Sequence, residues 1–287
     1  MKRVIGGFFG IVMGLASLGL VNIAYSTEEP LIMGVFPRHN VKNTILYYKP
    51  LAEKLTKALN RPVKLETAKN FSAFWQRVIS RRYDIVHYNQ FHYINSHKKY
   101  GYEVIARNVE FGSDSVAGAI IVRKDSGINS IADLKGKKII FGGDKSALVS
   151  YIATIDILRN AGLQSNDYIE KFAKAPPYAT IATYAGRADA AAVSDIGLRL
   201  PMVVNAINTN DLKVLAQGPD LAHLPWAVKS AMSSKLKQKI QDVMLSLQDS
   251  DEGQRVLKRA HVNRFVKAMD ADYDRVRQLV QQVGDVK

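Results

Sequence analysis

The chain has 287 residues, with 40 Lys and Arg against 26 Asp and Glu for a formal charge of +14, and it has no cysteine. That absence excludes disulfide staples, thiolate metal sites, thiol catalysis and a lipid anchor on cysteine, so stability must come from packing, as a chain of this size permits. The positive charge favours anionic partners, but the basic residues are scattered and form no tract or recognisable binding motif, which argues against nucleic acid.

Residues 1–26 read as an export leader. Lys2 and Arg3 stand in front of an apolar run from Val4 to Val21, and Ala24-Tyr25-Ser26 offers small side chains at alternate positions for cleavage. An uncleaved membrane anchor is the alternative. Removal would leave 261 residues with a formal charge of +12, enough for two lobes of ordinary size. No later stretch has the roughly 20 apolar residues that a membrane span needs. The expectation is a protein that works in solution outside the cytoplasmic membrane, in the periplasm.

The segment Pro30 to Pro37 (PLIMGVFP) reads as a short apolar strand closed by proline. From Tyr48 onward, Leu51, Leu55 and Leu59 recur at four-residue spacing with Lys and Glu between them, which predicts an amphipathic helix. A strand at Pro62 to Thr67, a helix around Ala73 to Ser80 and a strand at Asp84 to Tyr88 complete a β-α-β-α-β series. Such alternation argues for a largely parallel sheet covered by helices, with a ligand site at the carboxyl ends of its strands.

A second series begins near Gly118. Ala119 to Arg123 and Lys138 to Phe141 are β-branched strands, a helix follows from about Ala147 to Asn160, and Ala188 to Val193 is a buried strand of small residues. After Leu212 to Gln217 the pattern turns helical. Ile240, Val243, Met244 and Leu247 form one apolar face, and Tyr273, Val276, Leu279 and Val280 another. The prediction is an α/β fold of two lobes with mostly parallel sheets and a helical C-terminal tail. Residues 27–115 form the first part of lobe 1, 116–210 an inserted lobe 2, and 211–287 the return to lobe 1, with crossings near Ser113 to Gly118 and Asn208 to Leu212.

Three segments carry a family resemblance. Val122 to Gly143 (VRKDSGINSIADLKGKKIIFGG), Tyr83 to Tyr93 (YDIVHYNQFHY) and Gly186 to Asp195 (GRADAAAVSD) resemble, in order, motifs of periplasmic solute-binding proteins of the phosphate, phosphite and phosphonate uptake family. The resemblance covers nearly the whole chain after the leader. It implies a bilobal receptor of the Venus-flytrap kind that captures a small solute, needs no cofactor, acts as a monomer and delivers its cargo to the permease of an ABC transporter.

That family's binding helix starts with a Ser-Thr-Ser run whose hydroxyls and amides cradle the ligand oxygens. Here the run falls on Ala147, Leu148 and Val149, none of which has a hydroxyl. Ser146 and Ser150 flank the gap, and Ser146 is placed to cap the helix. A family histidine falls near Pro176, Tyr88 matches the first-lobe tyrosine, and Phe71 stands where another tyrosine is expected. The frame is that of the family, while its phosphonate cargo does not follow.

Among the residues, Tyr88, Asn89 and Gln90 sit past a strand end and offer a stacking ring beside two amides, or else a structural loop. Arg38, after the first strand, suits a forked bond to an oxyanion or an ordinary surface position. Asp195 reads as a ligand acceptor or an N-cap, and Gly142-Gly143-Asp144 as a tight turn. Tyr151 belongs to the binding helix and Tyr178 to a Pro-Pro-Tyr turn, while His223 and Trp226 are candidates for closing the cleft. His87, His92 and His97 have a spacing that strand-to-loop geometry does not bring to one metal. No metal site is expected. A ligand-binding sensor input keeps the same fold; an exported enzyme is disfavoured because no nucleophile elbow or HExxH motif is present.

Overall fold

The computed structural model describes Met1 and residues 28–284; the export leader expected at residues 1–26 therefore falls, beyond its first residue, outside the described residues. The chain runs from β1 (Leu31–Val35) through α1 (Val41–Leu59), β2 (Val63–Glu66), α2 (Phe71–Ile79), β3 (Ile85–His87), α3 (Gln90–Tyr100) and β4 (Tyr102–Val109). It crosses through β5 (Ser115–Val116) into β6 (Gly118–Arg123) and β7 (Lys138–Gly142). A π-helical turn over Leu148–Ile152 continues as α4 (Ala153–Asn160), followed by β8 (Ile169–Ala173), α5 (Pro176–Tyr184), β9 (Ala190–Ser194), α6 (Pro201–Val204) and β10 (Leu212–Gln217). The return passes through β11 (Leu221–Ala222) to β12 (Pro225–Lys229), α7 (Ser234–Leu245), α8 (Asp251–Ala260), β13 (Arg264–Lys267) and α9 (Asp274–Val283).

Two sheets result, in the orders β13-β4-β12-β3-β1-β2 and β10-β6-β9-β7-β8, joined by the antiparallel pair β5 and β11. Both sheets are mixed rather than mostly parallel. The βαβ portions β3-β1-β2 and β9-β7-β8 are parallel, but β12, β4 and β13 run antiparallel, as do β6 and β10. The reason lies in the crossings. Gly118, where β6 enters the second lobe, pairs with Ser194, where β9 ends, so entering and arriving strands must oppose each other.

The second crossing also moves. Leu212 pairs with Arg123 and Gln217 with Ala119, so β10 stays in the second sheet, and the return to the first lobe runs through Leu221–Ala222 rather than Asn208 to Leu212. As a partly exposed edge strand, β10 carries too weak an apolar pattern to announce its sheet.

Local chemistry sets the helix ends. Asn40, Asn70 and Asn89 accept a backbone N–H from the residue three further on and so cap α1, α2 and α3, while Asn60 and Gly101 end α1 and α3 in the left-handed region. The first helix starts at Val41, seven residues earlier than its apolar spacing suggested, and holds Pro50 inside. Proline there leaves the Leu46 carbonyl without its helical donor. Arg259 of α8 supplies one instead, its Nε lying 3.3 Å from that oxygen. The residues Pro176-Pro177-Tyr178, expected as a turn, begin α5, where a proline's missing N–H costs nothing. No helix among the described residues is long and apolar enough to cross a membrane.

Candidate functional site between the lobes

A cavity of about 100 Å³ lies where the two sheets face each other across the β5 and β11 crossing. The first lobe contributes Phe36, Arg38, Phe71, Asn89, Gln90, His223 and Leu224 to its wall. The second contributes the Gly142-Gly143 turn, Ala147 to Ser150, Ala175-Pro176, Ser194 and Ile196. These positions follow β1, β3, β7 and β9, the strand ends where an α/β sheet opens its crevice. Most of the wall is apolar, with Phe36 and Phe71 in edge contact at 5.9 Å between ring centres.

The polar feature of the second lobe is its helix start. Ala147 has extended backbone, and its carbonyl accepts from both Tyr151 (2.9 Å) and Ile152 (3.2 Å), the latter a π-type bond. The amides of Leu148, Val149 and Ser150 have no acceptor among the described residues. Three donors without a protein acceptor, at the positive end of the helix dipole, therefore belong to residues of the cavity wall. Gly142 lets the start of α5 approach the same wall: a Cβ there would lie 2.6 Å from Cα of Pro176. The Ser150 hydroxyl lines the cavity but donates to the Gly142 carbonyl at 2.8 Å, tying the helix to β7.

The first lobe carries the charge. Arg38 donates to Glu110 through Nη1 (2.7 Å) and Nη2 (2.9 Å), and Asn108 donates to the same carboxylate at 2.8 Å. Burial alone would raise the Glu110 pKa, but the Arg38 guanidinium and these hydrogen bonds hold it down at about 2. Trp226 lies fully buried and donates to Asn108 at 2.9 Å, so it supports this network and does not reach the cavity. Burial lowers His223 to about 4, against the pull of Glu110, leaving a neutral ring.

Of the expected ligand residues, the cavity gathers Arg38, Phe71, Asn89, Gln90 and Ser150. Others lie elsewhere. Tyr88 is fully buried in the first lobe, its hydroxyl 2.8 Å from Ser96 and its ring edge-on to Tyr93 and Tyr102; the side chain after β3 that reaches the cleft is Asn89 instead. Tyr151 packs against Phe141 and Phe172 in the second lobe because its place in the π-turn points it across the helix into the sheet. Asp195 accepts the Ala117 N–H at 3.1 Å and donates its own N–H to the Ala117 carbonyl, so it clamps the crossing strand. Ser146 does not cap the helix, whose N-cap is Ala147: its N–H and its hydroxyl both donate to Oδ1 of Asp144, at 2.9 and 2.6 Å. The histidines at 87, 92 and 97 occupy separate settings, against Trp226, against Trp75, and on the Tyr102 carbonyl.

Two contacts join the lobes beside the cavity. Asn89 donates from Nδ2 to the Ser146 carbonyl at 3.2 Å, and the Arg199 guanidinium sits 5.0 Å from the centre of the Phe111 ring. Phe111 occupies a tight turn closed by mutual Glu110 and Ser113 backbone bonds, at φ +52°, a conformation strained for an aromatic residue. Glu110, unremarkable in the sequence, thus connects the Arg38 pair to an interlobe contact. Its only sequence signal is a carboxylate ending an apolar strand.

A family model described as "ABC transporter, phosphonate, periplasmic substrate-binding protein" matches residues 33–273. Among solved structures, one of PhnD1 from Prochlorococcus marinus in complex with methylphosphonate is 17% identical, with a TM-score of 0.78 over 88% of this chain and 98% of that one. A binding protein component of an ABC phosphonate transporter from Pseudomonas aeruginosa is 17% identical, with a TM-score of 0.75 over 87% and 85% of the two chains. The aliphatic sulphonate binding protein SsuA from Escherichia coli is 18% identical, with a TM-score of 0.63 over 90% and 91%. At these identities the structures establish a shared fold.

Proposed function

Because the chain belongs to the family of periplasmic substrate-binding proteins of phosphonate ABC transporters, we propose that it captures a small oxyanion in the interlobe cavity and presents it to its permease. The family places it in the periplasm as a solute-binding transporter component. Residues 1–26 are its cleaved export signal in this reading, and the mature chain acts as a monomer.

The observation that carries the oxyanion is the helix start. The amides of Leu148, Val149 and Ser150, three residues of the cavity wall, have no acceptor among the described residues. Backbone donors at the positive end of a helix bind anionic oxygens without side-chain hydroxyls. The loss of the Ser-Thr-Ser run then weakens the cradle but leaves its backbone part, and Phe36 and Phe71 supply apolar surface for a substituent. Closure follows from contacts made only when both lobes meet the same ligand.

The test is thermal unfolding of the mature chain with phosphate, phosphite, alkylphosphonates and alkylsulfonates. A ligand present at a hundred times its Kd stabilises by about 2.7 kcal/mol. No stabilisation by any of these anions, together with stabilisation by neutral or cationic solutes, refutes the assignment.

A further inference from the structure

We propose that the ligand is a singly charged oxyanion that carries its own hydrogen-bond donor, received in the first lobe by Gln90 and His223. This rests on the oxyanion reading above and narrows it.

Gln90 is fully buried on the cavity wall, and its Nε2 donates to the Ala222 carbonyl at 2.8 Å. Since a carbonyl can only accept, the amide orientation is fixed and Oε1 is the remaining group. That oxygen is a buried acceptor without a donor among the described residues. His223, 2% exposed, lines the same cavity, and its Nδ1 accepts the Leu224 N–H at 2.8 Å. The neutral ring must then carry its proton on Nε2. That donor is also unpartnered, because Glu110 Oε2 is 4.0 Å away, beyond hydrogen-bond reach.

Both residues line the same cavity, and each leaves one buried polar atom, an acceptor and a donor, without a partner among the described residues. Leaving such groups unmatched is costly, so sites built this way reject ligands that fail to match them. A fully ionised oxyanion offers acceptors only and meets the lone pairs of Gln90 Oε1. Arg38 does not compensate a second charge, because its single positive charge is already matched by the Glu110 carboxylate. An oxyanion that keeps one O–H satisfies both sides: the O–H donates to Gln90 and a bare oxygen accepts from His223. Its single charge remains for the amides of the helix start.

The experiment is calorimetric titration of the mature chain near pH 6 with three singly charged probes. Methylphosphonate has an O–H under these conditions, whereas methanesulfonate and the monomethyl ester of methylphosphonate have none. The expected result is at least about tenfold tighter binding of methylphosphonate than of either other probe, the effect of one unmatched buried group. Replacement Gln90→Met should bring the three within about twofold. Equal affinities in the unmodified chain overturn the inference while leaving the oxyanion reading intact, and so does a preference that persists in Gln90→Met. Failure of all three probes to bind overturns the inference, and the oxyanion reading falls with it when phosphate and phosphite fail to bind as well. The comparison on the unmodified chain decides even where the variant does not fold.

Discussion

Arg38 meets Glu110 through two parallel hydrogen bonds of 2.7 and 2.9 Å, with the carboxylate 4% exposed and the guanidinium 23% exposed. Among the described residues lining the cavity, Arg38 is the one Lys or Arg, and its charge is therefore matched before any ligand arrives. The replacement Glu110→Gln keeps the shape and removes the match. It should lower stability by about 1 to 3 kcal/mol, because a half-buried guanidinium loses its counter-charge. It should also tighten phosphate binding several-fold, since Arg38 then faces the cavity uncompensated. Urea unfolding and calorimetry measure the two effects; unchanged phosphate affinity would show that the pair does not tune the site.

Stability should fall on mild acidification. Burial lowers His87 to about 3 and both His92 and His223 to about 4, so each ring is neutral when folded and protonates more readily when unfolded. The unfolded state binds more protons, and stability therefore rises with pH. This contribution is fully present above about pH 6.5 and is lost as pH falls toward 4. Glu110, held at about 2, adds a second loss below about pH 4.5. The replacement His92→Gln should reduce the slope of unfolding free energy between pH 6 and 4.5 by about 1.4 kcal/mol per unit, the value of one proton. Urea midpoints at several pH values check it.

Tyr88 separates what the chain spelled out from what it concealed. Short continuous apolar runs announced β1, β3 and β6, which are buried along nearly their whole length, and the four-residue spacing of Leu51, Leu55 and Leu59 announced α1, because these patterns are local. Which of two consecutive residues after β3 enters the cleft depends on the pleat and on where α3 begins, and the polar run Gln90 to Tyr100 hid that helix. Arg38, Asn89 and Gln90 were legible as polar groups at strand ends. Their partners Glu110, Ser146 and Ala222 lie far away in sequence, and no local pattern points to them. With its ring in the core, Tyr88→Phe should cost about 1 kcal/mol through the lost Ser96 bond and leave ligand affinity unchanged. A large affinity loss would return Tyr88 to the site.

Ala147 occupies the N-cap position of the helix start without a side-chain cap bond. Serine is preferred there because its oxygen accepts an amide of the first turn. In the unliganded protein, Ala147→Ser should therefore stabilise by about 0.5 to 1 kcal/mol. The new hydroxyl competes for the amides that the ligand uses, yet it also offers the ligand an O–H. The balance is read by comparing melting temperatures with and without a bound oxyanion: the free protein melts higher, and the ligand-induced shift stays equal or grows. A smaller shift would mean that the amides of residues 148 to 150 are taken from the ligand.

Asn89 does two tasks with one side chain. Its Oδ1 accepts the His92 N–H at 2.8 Å and caps α3, while Nδ2 reaches across the cleft to the Ser146 carbonyl at 3.2 Å. Aspartate caps a helix as well as asparagine but has no donor to give Ser146. Asn89→Asp should therefore leave the stability of the unliganded chain within about 0.5 kcal/mol. Ligand affinity should fall by about five- to thirtyfold, because the closed form loses a hydrogen bond and sets two acceptors against each other across the cleft. The negative charge also lies on the wall of a site that receives an anion. Calorimetry with a neutral solute analogue separates the two causes, since the charge effect vanishes and the lost interlobe bond remains. Affinity unchanged for both ligands would mean that the Asn89 to Ser146 bond is not part of the bound state.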